Sequence, residues 1–407
     1  MLDTVLIVGG SLAGLNAAET LRQEGFGGTI AVVDGEPQIP HDRPPLSKQV
    51  LSGAWPPEKA TLPGANADLD LTWHLGRRAT AVDLAHHRVT LDDGSSLNGE
   101  ALVIATGATP RRLPWMDGVG GVHVLRTLAD CLAIRDRLEA GASRVVVVGA
   151  GFIGAEVAAT CRERGCEVTI VEALPVPLER ALGPRMGPLV ADLHRDHGVE
   201  VRTGTMVDGV ATGDDGDVTG VVLAGGEVLP ADLVVVGIGV APATGWLDGS
   251  GLDLDDGVLV DANLWAAPGV VVAGDIARFP SRRFGAVLRV EHWENAIQMG
   301  QHAARTLLAE AAGADLGALD PFDPVPWFWS DQYDRKIQLA GRSGADHEVE
   351  VVIGSTDERR FVALYGKDGV VRGVLGWNRP RHVMQLRHLV DDAVAWADGL
   401  AEARALA

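Results

Sequence analysis

The chain has 407 residues, more than one ordinary hydrophobic core accommodates, so two or three domains are expected. An apolar fraction of 46% with 51 glycines suits an α/β protein with many tight strand–helix turns, and the net charge of −20 argues against nucleic acid or an anionic membrane surface as partner. The opening Met1-Leu2-Asp3 runs straight into an apolar strand, with no basic region, hydrophobic segment and cleavage site, and no apolar run reaches transmembrane length, so a cytoplasmic protein is expected.

In chain order, Thr4 to Gly9 is a continuous apolar strand of the kind buried on both faces of a parallel sheet. Gly9-Gly10-Ser11-Leu12-Ala13-Gly14 follows, then a helical pattern through Leu21 and a second strand, Thr29 to Val33, closed by Asp34 with Glu36 just beyond. This is a βαβ unit carrying a dinucleotide fingerprint. Glycines let the backbone approach a pyrophosphate, the helix N-terminus offers partial positive charge, and the acid receives a ribose hydroxyl. Ser11 stands where the middle glycine belongs and slightly crowds the phosphates. Leu102 to Gly107 is another buried strand ending in a small-residue turn.

Arg144 to Val148 leads into a complete fingerprint, Gly149-Ala150-Gly151-Phe152-Ile153-Gly154, followed by a helix from Ala155 to Arg164 and a strand from Glu167 to Val171 that ends on Glu172. Two such units predict two dinucleotides, most simply a bound flavin and a visiting nicotinamide. Cys161 and Cys166 share a C-x4-C spacing, but they lie at the end of the second fingerprint helix and on different faces of it, so with Cys131 they read as structural residues and not a redox pair. Gly213 to Asp217 reads as a hairpin tip. Leu233 to Gly239 and Val270 to Asp275 are further buried strands, and the second delivers the Asp275 carboxylate to the sheet edge where ligands bind. Asp275 is expected on the ribityl hydroxyls of the flavin. Asp320-Pro321 and Pro324/Pro326 mark a domain boundary.

With these segments in this order the whole chain resembles the FAD-dependent ferredoxin reductases of bacterial oxygenase systems. The resemblance is carried further by Arg43-Pro44-Pro45-Leu46-Ser47-Lys48, Leu125-Arg126-Thr127, Arg289-Val290-Glu291-His292-Trp293 and Pro326-Trp327-Phe328-Trp329-Ser330-Asp331-Gln332. It implies a glutathione-reductase-like α/β fold with two Rossmann-like domains and a C-terminal α+β domain. The expected division is FAD domain 1–110 and 240–318, NADH domain 111–239, and C-terminal domain 319–407.

Carried over by position, the resemblance implies Gly9, Ala13 and Gly14 on the FAD pyrophosphate, Asp34 or Glu36 on its ribose, and Ala79 near the adenine. It implies Lys48 and Arg126 at the flavin, with Arg43 among the cofactor-binding residues, Asp275 on the ribityl chain, and Trp293 at the pyrimidine edge. For NADH it implies Gly149, Gly151 and Gly154 at the pyrophosphate, Glu172 at the ribose and Gly239 beside the nicotinamide half. Lys48 would hold the charge that arrives with the hydride, Glu156 would pair with it, and Trp329 would close the other side of the pocket. No metal ligands are expected.

The function implied is transfer of electrons from NADH through FAD to a small [2Fe–2S] ferredoxin serving a P450 or Rieske oxygenase. A rubredoxin reductase or another NADH-dependent FAD reductase of this fold is the alternative within the class, and a redox-sensing flavoprotein resembling the apoptosis-inducing flavoproteins is the alternative outside it. Because a ferredoxin of this kind is acidic, docking is expected to use concentrated positive charge, with Arg282, Arg283, Arg289, Arg335, Lys336 and Arg342 as candidates.

Overall fold

The apolar run Thr4–Val8 forms a central strand of a six-stranded sheet in the computed structural model, which describes residues 2–406. Chain contacts divide the protein into two units, one of residues 1–42, 61–109 and 241–326, the other of residues 43–60, 110–240 and 327–407.

In the first unit the strand order is Trp265–Ala267, Val270–Val272, Ala101–Ile104, Thr4–Val8, Thr29–Asp34 and Leu71–Leu75, parallel except for Trp265–Ala267 at the edge. Val8 pairs with Val33 on one side and Ile104 on the other, so three strands end at one level. Val5 to Val8 are at most 2% exposed, and each such side chain contributes about 1.5–3 kcal/mol by leaving water. Helix Leu12–Gln23 covers the sheet, and helix Trp293–Ala311 lies close against it because a Cβ on Gly300 would overlap the Ala13 carbonyl.

In the second unit a parallel sheet runs Glu200–Arg202, Glu167–Val171, Arg144–Val148, Leu233–Val236, Val122–His123. Its valines alternate between two cores, as the two-residue period of a strand requires. Val145 and Val147 pack with Leu128, Cys131, Val157 and Cys161 of helices Leu128–Glu139 and Phe152–Glu163. Val146 and Val148 pack with the antiparallel ribbon of strands 207–212, 218–223 and 228–230, whose first hairpin has 213–217 as its tip. A five-stranded antiparallel sheet (order 327–332, 335–341, 370–377, 360–367, 348–355) completes the unit. Ile337, Leu339, Phe361, Tyr365 and Trp377 of this sheet share one core with Ala155, Leu182, Met186, Val190 and Leu193.

Two features differ from the sequence expectation. Contacts of the last boundary fall at 326/327, because Phe322 is held to the first unit by its N–H bond to the Ala262 carbonyl. Residues 43–60 pack in the second unit, since Leu46, Val50 and Leu51 are buried against the helices of the second sheet.

His194, on helix Pro188–Asp196, is 1% exposed with Nδ1 3.0 Å from the Tyr333 hydroxyl. Burial pushes its imidazole down to about 4. Above pH 6.5 the ring is neutral in folded and unfolded chains alike; below it the unfolded chain takes up a proton that the folded chain refuses, down to about pH 4. Stability is therefore lost as pH falls through this window, by up to about 3 kcal/mol from this ring. The melting temperature is expected to drop between pH 6.5 and 4, and His194→Gln to make that drop shallower in a melting series across pH.

Candidate functional site

The two fingerprint turns are built alike. Gly9 and Gly149 each adopt φ +102°, and a Cβ would overlap the carbonyl of Ala105 in one case and of Gly237 in the other. Only glycine fits at either position. Gly14 and Gly154 lie equally close to the Gly9 and Gly149 carbonyls, which brings each helix down onto its turn. Ser11 and Gly151 occupy the two N-cap positions, and neither caps its helix with a side chain, so the first-turn N–H groups face outward for an anion.

The acid that ends the second strand clamps the turn in both units. Asp34 accepts the Gly10 N–H at 2.7 Å and the Glu36 N–H at 2.8 Å on its two oxygens. Glu172 accepts the Ala150 N–H at 2.7 Å and the Leu174 N–H at 2.8 Å. A carboxylate has about four acceptor sites, so each acid retains capacity for ribose hydroxyls. Arg77, two residues before Ala79, donates its N–H to the Asp34 carbonyl and Gly76 to that of Glu36.

Asp275 is carried to the first fingerprint by its neighbour. Gly274, at φ +84°, lies with its Cβ direction 3.0 Å from the Ala13 side chain. The Asp275 carboxylate is also close to His292, whose imidazole burial pushes down to about 4 against the pull of that charge. Trp293 follows as the first residue of its helix, and its indole N–H donates to Asp42 at 2.8 Å. The first unit thus gathers Gly9, Ala13, Gly14, Asp34 and Asp275 around one turn, a set of backbone donors and acids that fits the pyrophosphate, ribose and ribityl groups of FAD.

In the second unit the Pro44-Pro45 pair opens a 3₁₀ turn that presents Ser47 and Lys48. Three bonds pin this segment to the nucleotide-binding layer: Thr160 Oγ1 to the Ser47 carbonyl at 2.7 Å, Cys131 Sγ to that of Leu46 at 3.1 Å, and Arg164 Nη1 to that of Leu51 at 3.0 Å. Lys48 Nζ then donates to Glu156 Oε2 at 2.7 Å. Glu156 is 4% exposed, so it is no solvated first-turn acid, and its remaining donors are Ser47 Oγ at 2.5 Å on Oε2 and Ser330 Oγ at 2.8 Å on Oε1. Gln332 Nε2 donates in turn to Ser330 Oγ at 3.1 Å. Ser47, Ser330 and Gln332 carry no expectation from the sequence as functional residues. The available signal was the two-residue alternation that sets Phe328, Ser330 and Gln332 on one face of strand Trp327–Gln332 and Trp327 and Trp329 on the other.

Trp329 stacks on Trp327 with ring centroids 5.2 Å apart. Arg43 Nη1 donates to the Arg126 carbonyl at 2.5 Å, so these two expected residues meet. Gly239 has φ +93° and accepts the Arg111 N–H on its carbonyl.

Several of the docking candidates have partners within the chain. Arg289 is paired with Asp256 and Glu291, Arg335 with Asp334, Lys336 with Asp331, and Arg283 is tied to the Asp323 backbone carbonyl. Glu291, Asp334 and Asp331 lie within five residues of the cations they pair with, whereas Asp256 folds back onto Arg289 from a distant stretch, so these stretches present less unpaired positive charge than the bare sequence suggests. The three cysteines are free and buried, and burial pushes the thiols of Cys131 and Cys161 up to about 12, which leaves little of the reactive thiolate.

Two nucleotide-binding units joined to a C-terminal antiparallel sheet define a pyridine-nucleotide flavoprotein oxidoreductase of glutathione-reductase-like fold. Residues 3–300 match the family model of the pyridine nucleotide-disulphide oxidoreductases, and residues 327–404 match the reductase C-terminal model. The chain belongs to this family, whose members use FAD and NAD(H). It is 38% identical to rhodocoxin reductase of Rhodococcus erythropolis over 95% of its own length and 89% of that protein's. It is 36% identical to putidaredoxin reductase of Pseudomonas putida over 96% and 92%. Among solved structures, the covalent putidaredoxin reductase–putidaredoxin complex matches at a TM-score of 0.90 and 34% identity, covering 100% of this chain and 99% of that one. No helix among the described residues is long and apolar enough to cross a membrane.

Removing one partner of a buried ion pair strands the other charge, at a cost of about 3–5 kcal/mol. Lys48→Met is therefore expected to lower the melting temperature of the FAD-loaded protein by several degrees, and adding Glu156→Gln to recover most of the loss, as read by calorimetry.

Proposed function

We propose that this protein is a cytoplasmic NADH-dependent reductase that passes electrons from NADH through FAD to a small [2Fe–2S] ferredoxin, which serves a P450 or Rieske oxygenase. The observation that carries the reading is the pairing of two dinucleotide turns with three thiols too deeply buried to relay electrons. Electrons that enter such a protein leave it directly to an outside acceptor. Putidaredoxin reductase, similar along nearly its whole length, has been crystallised in covalent complex with putidaredoxin, and a relative of 35% identity is a ferredoxin–NAD(+) reductase component of a biphenyl dioxygenase system, which supports a ferredoxin as that acceptor. The reading assigns residues 1–110 and 240–326 to FAD, with 43–60 packed in the second unit, 111–239 to NADH and 327–407 to a C-terminal domain.

When bound, FAD supplies a ring that accepts hydride and releases electrons one at a time. The chain's own residues bind and orient. The first-turn N–H groups of the helices that begin after Ser11 and Gly151 would receive the two pyrophosphates, Asp34 or Glu36 and Glu172 the riboses, and Asp275 the ribityl hydroxyls. Lys48 has three N–H donors; Glu156 and Ser47 take two, the second at 3.3 Å, and the third is left for the reacting partners. Glu156 holds that ammonium in place.

Chromatography of the released flavin should show FAD, and the protein should reduce both ferricyanide and a [2Fe–2S] ferredoxin with NADH. Release of FMN, or ferricyanide reduction without any ferredoxin reduction, would overturn the reading. NADH should be preferred to NADPH by about a hundredfold in kcat/KM, equivalent to about 2.7 kcal/mol. The Glu172 carboxylate opposes a 2′-phosphate, and Arg202 nearby is already neutralised by Glu200 and Glu227. Glu172→Ala should narrow the ratio, and steady-state kinetics with both nucleotides tests it.

A further inference from the structure

Glu156 is held from both sides. Oε2 faces Ser47 and Lys48, and Oε1 faces Ser330, which is itself held by Gln332. Ser330 and Gln332 are both 0% exposed. Such a polar cluster in a dry core gives no stability that well-packed apolar side chains of similar volume would not also give. What it gives is geometry: a carboxylate gripped on one oxygen can still turn about its last bond, and one gripped on both cannot.

The grip is registered by the packing around it. Phe152 and Glu156 lie four residues apart on one face of their helix, a rise of about 6 Å. Phe328 and Ser330 lie two residues apart on one face of their strand, a rise of about 6.7 Å. The two steps match, so the contact of Phe152 with Phe328, at 4.7 Å between ring centroids, aligns Ser330 with Glu156.

We propose that Ser330 and Gln332 are positioning residues for hydride transfer, fixing the Glu156 carboxylate and through it the direction of the free N–H of Lys48. The proposal rests on the role given above to Lys48 and Glu156. His194, beside Gln332 and kept neutral by burial, extends the same polar row toward Tyr333.

The chain has four lysines, Lys48, Lys59, Lys336 and Lys367, so carbon-13 labelling at lysine Cε yields four signals. In the FAD-loaded protein Ser330→Ala should shift the Lys48 signal toward those of the exposed lysines and leave the other three in place. Rapid mixing should show the limiting rate of flavin reduction lowered about tenfold, with the dissociation constant of NADH within about twofold of the parent's. Ser330→Thr, which keeps the hydroxyl, should restore both. A folded Ser330→Ala protein with the parent's Lys48 signal and rate would overturn the proposal, since the hydroxyl would then only fill space. If Ser330→Ala does not fold, Gln332→Met makes the same test, with a smaller loss of rate and the same movement of the Lys48 signal expected. If NADH does not reduce the parent's flavin, the proposed function fails, while the lysine spectra still decide whether Ser330 and Gln332 set the position of Lys48.

Discussion

An ionised carboxylate survives in a dry core only when donors and a cation fill its lone pairs, since its bare desolvation costs several kcal/mol. Glu156 meets that demand from three stretches of chain: Ser47 and Lys48 from the segment 43–60, Ser330 from the C-terminal sheet, and its own helix below the second glycine turn. The arrangement explains why these stretches form one unit. The Pro-Pro turn needs the helix to anchor Ser47, the helix needs Ser330 to satisfy its acid, and the strand bearing Ser330 is seated by an aromatic pair on the same helix. A chemical requirement at one residue thus has the same boundaries as a structural unit.

The two nucleotide turns carry a second constraint. The acid at the end of each second strand, which we propose faces the nucleotide, is also the clasp of the turn, because it holds the N–H of the residue after the first glycine. On that reading, altering the acid to change nucleotide preference also loosens the backbone of the turn. Affinity and selectivity are coupled at this position by construction.

What the sequence disclosed depended on distance along the chain. The strands, the glycine turns, their terminal acids and Asp275 follow local patterns of period two or 3.6 and fixed motif spacings, and the structure places them as those patterns imply. The Lys48–Glu156 pair spans 108 residues, and it was legible only through family resemblance. The affiliation of residues 43–60 was not legible, because a buried Leu46, Val50 and Leu51 read the same whichever core receives them. The intrachain partners of the docking arginines were hidden for a related reason. Charge counted along a sequence takes no account of which carboxylates fold back, as Asp256 does onto Arg289.

The shared core of the second unit also sets a schedule for the chain as it is made. Strand Leu233–Val236 completes the parallel sheet, but Phe361, Tyr365 and Trp377, which cover Ala155, Leu182, Met186, Val190 and Leu193, come more than a hundred residues later. At about 5–20 residues per second the ribosome needs roughly 7–28 s to supply them. Throughout that interval the nascent protein carries an apolar face without its full cover, and for about the first two thirds of it a glutamate without its serine. In this window, before the finished enzyme exists, that uncovered face is open to aggregation.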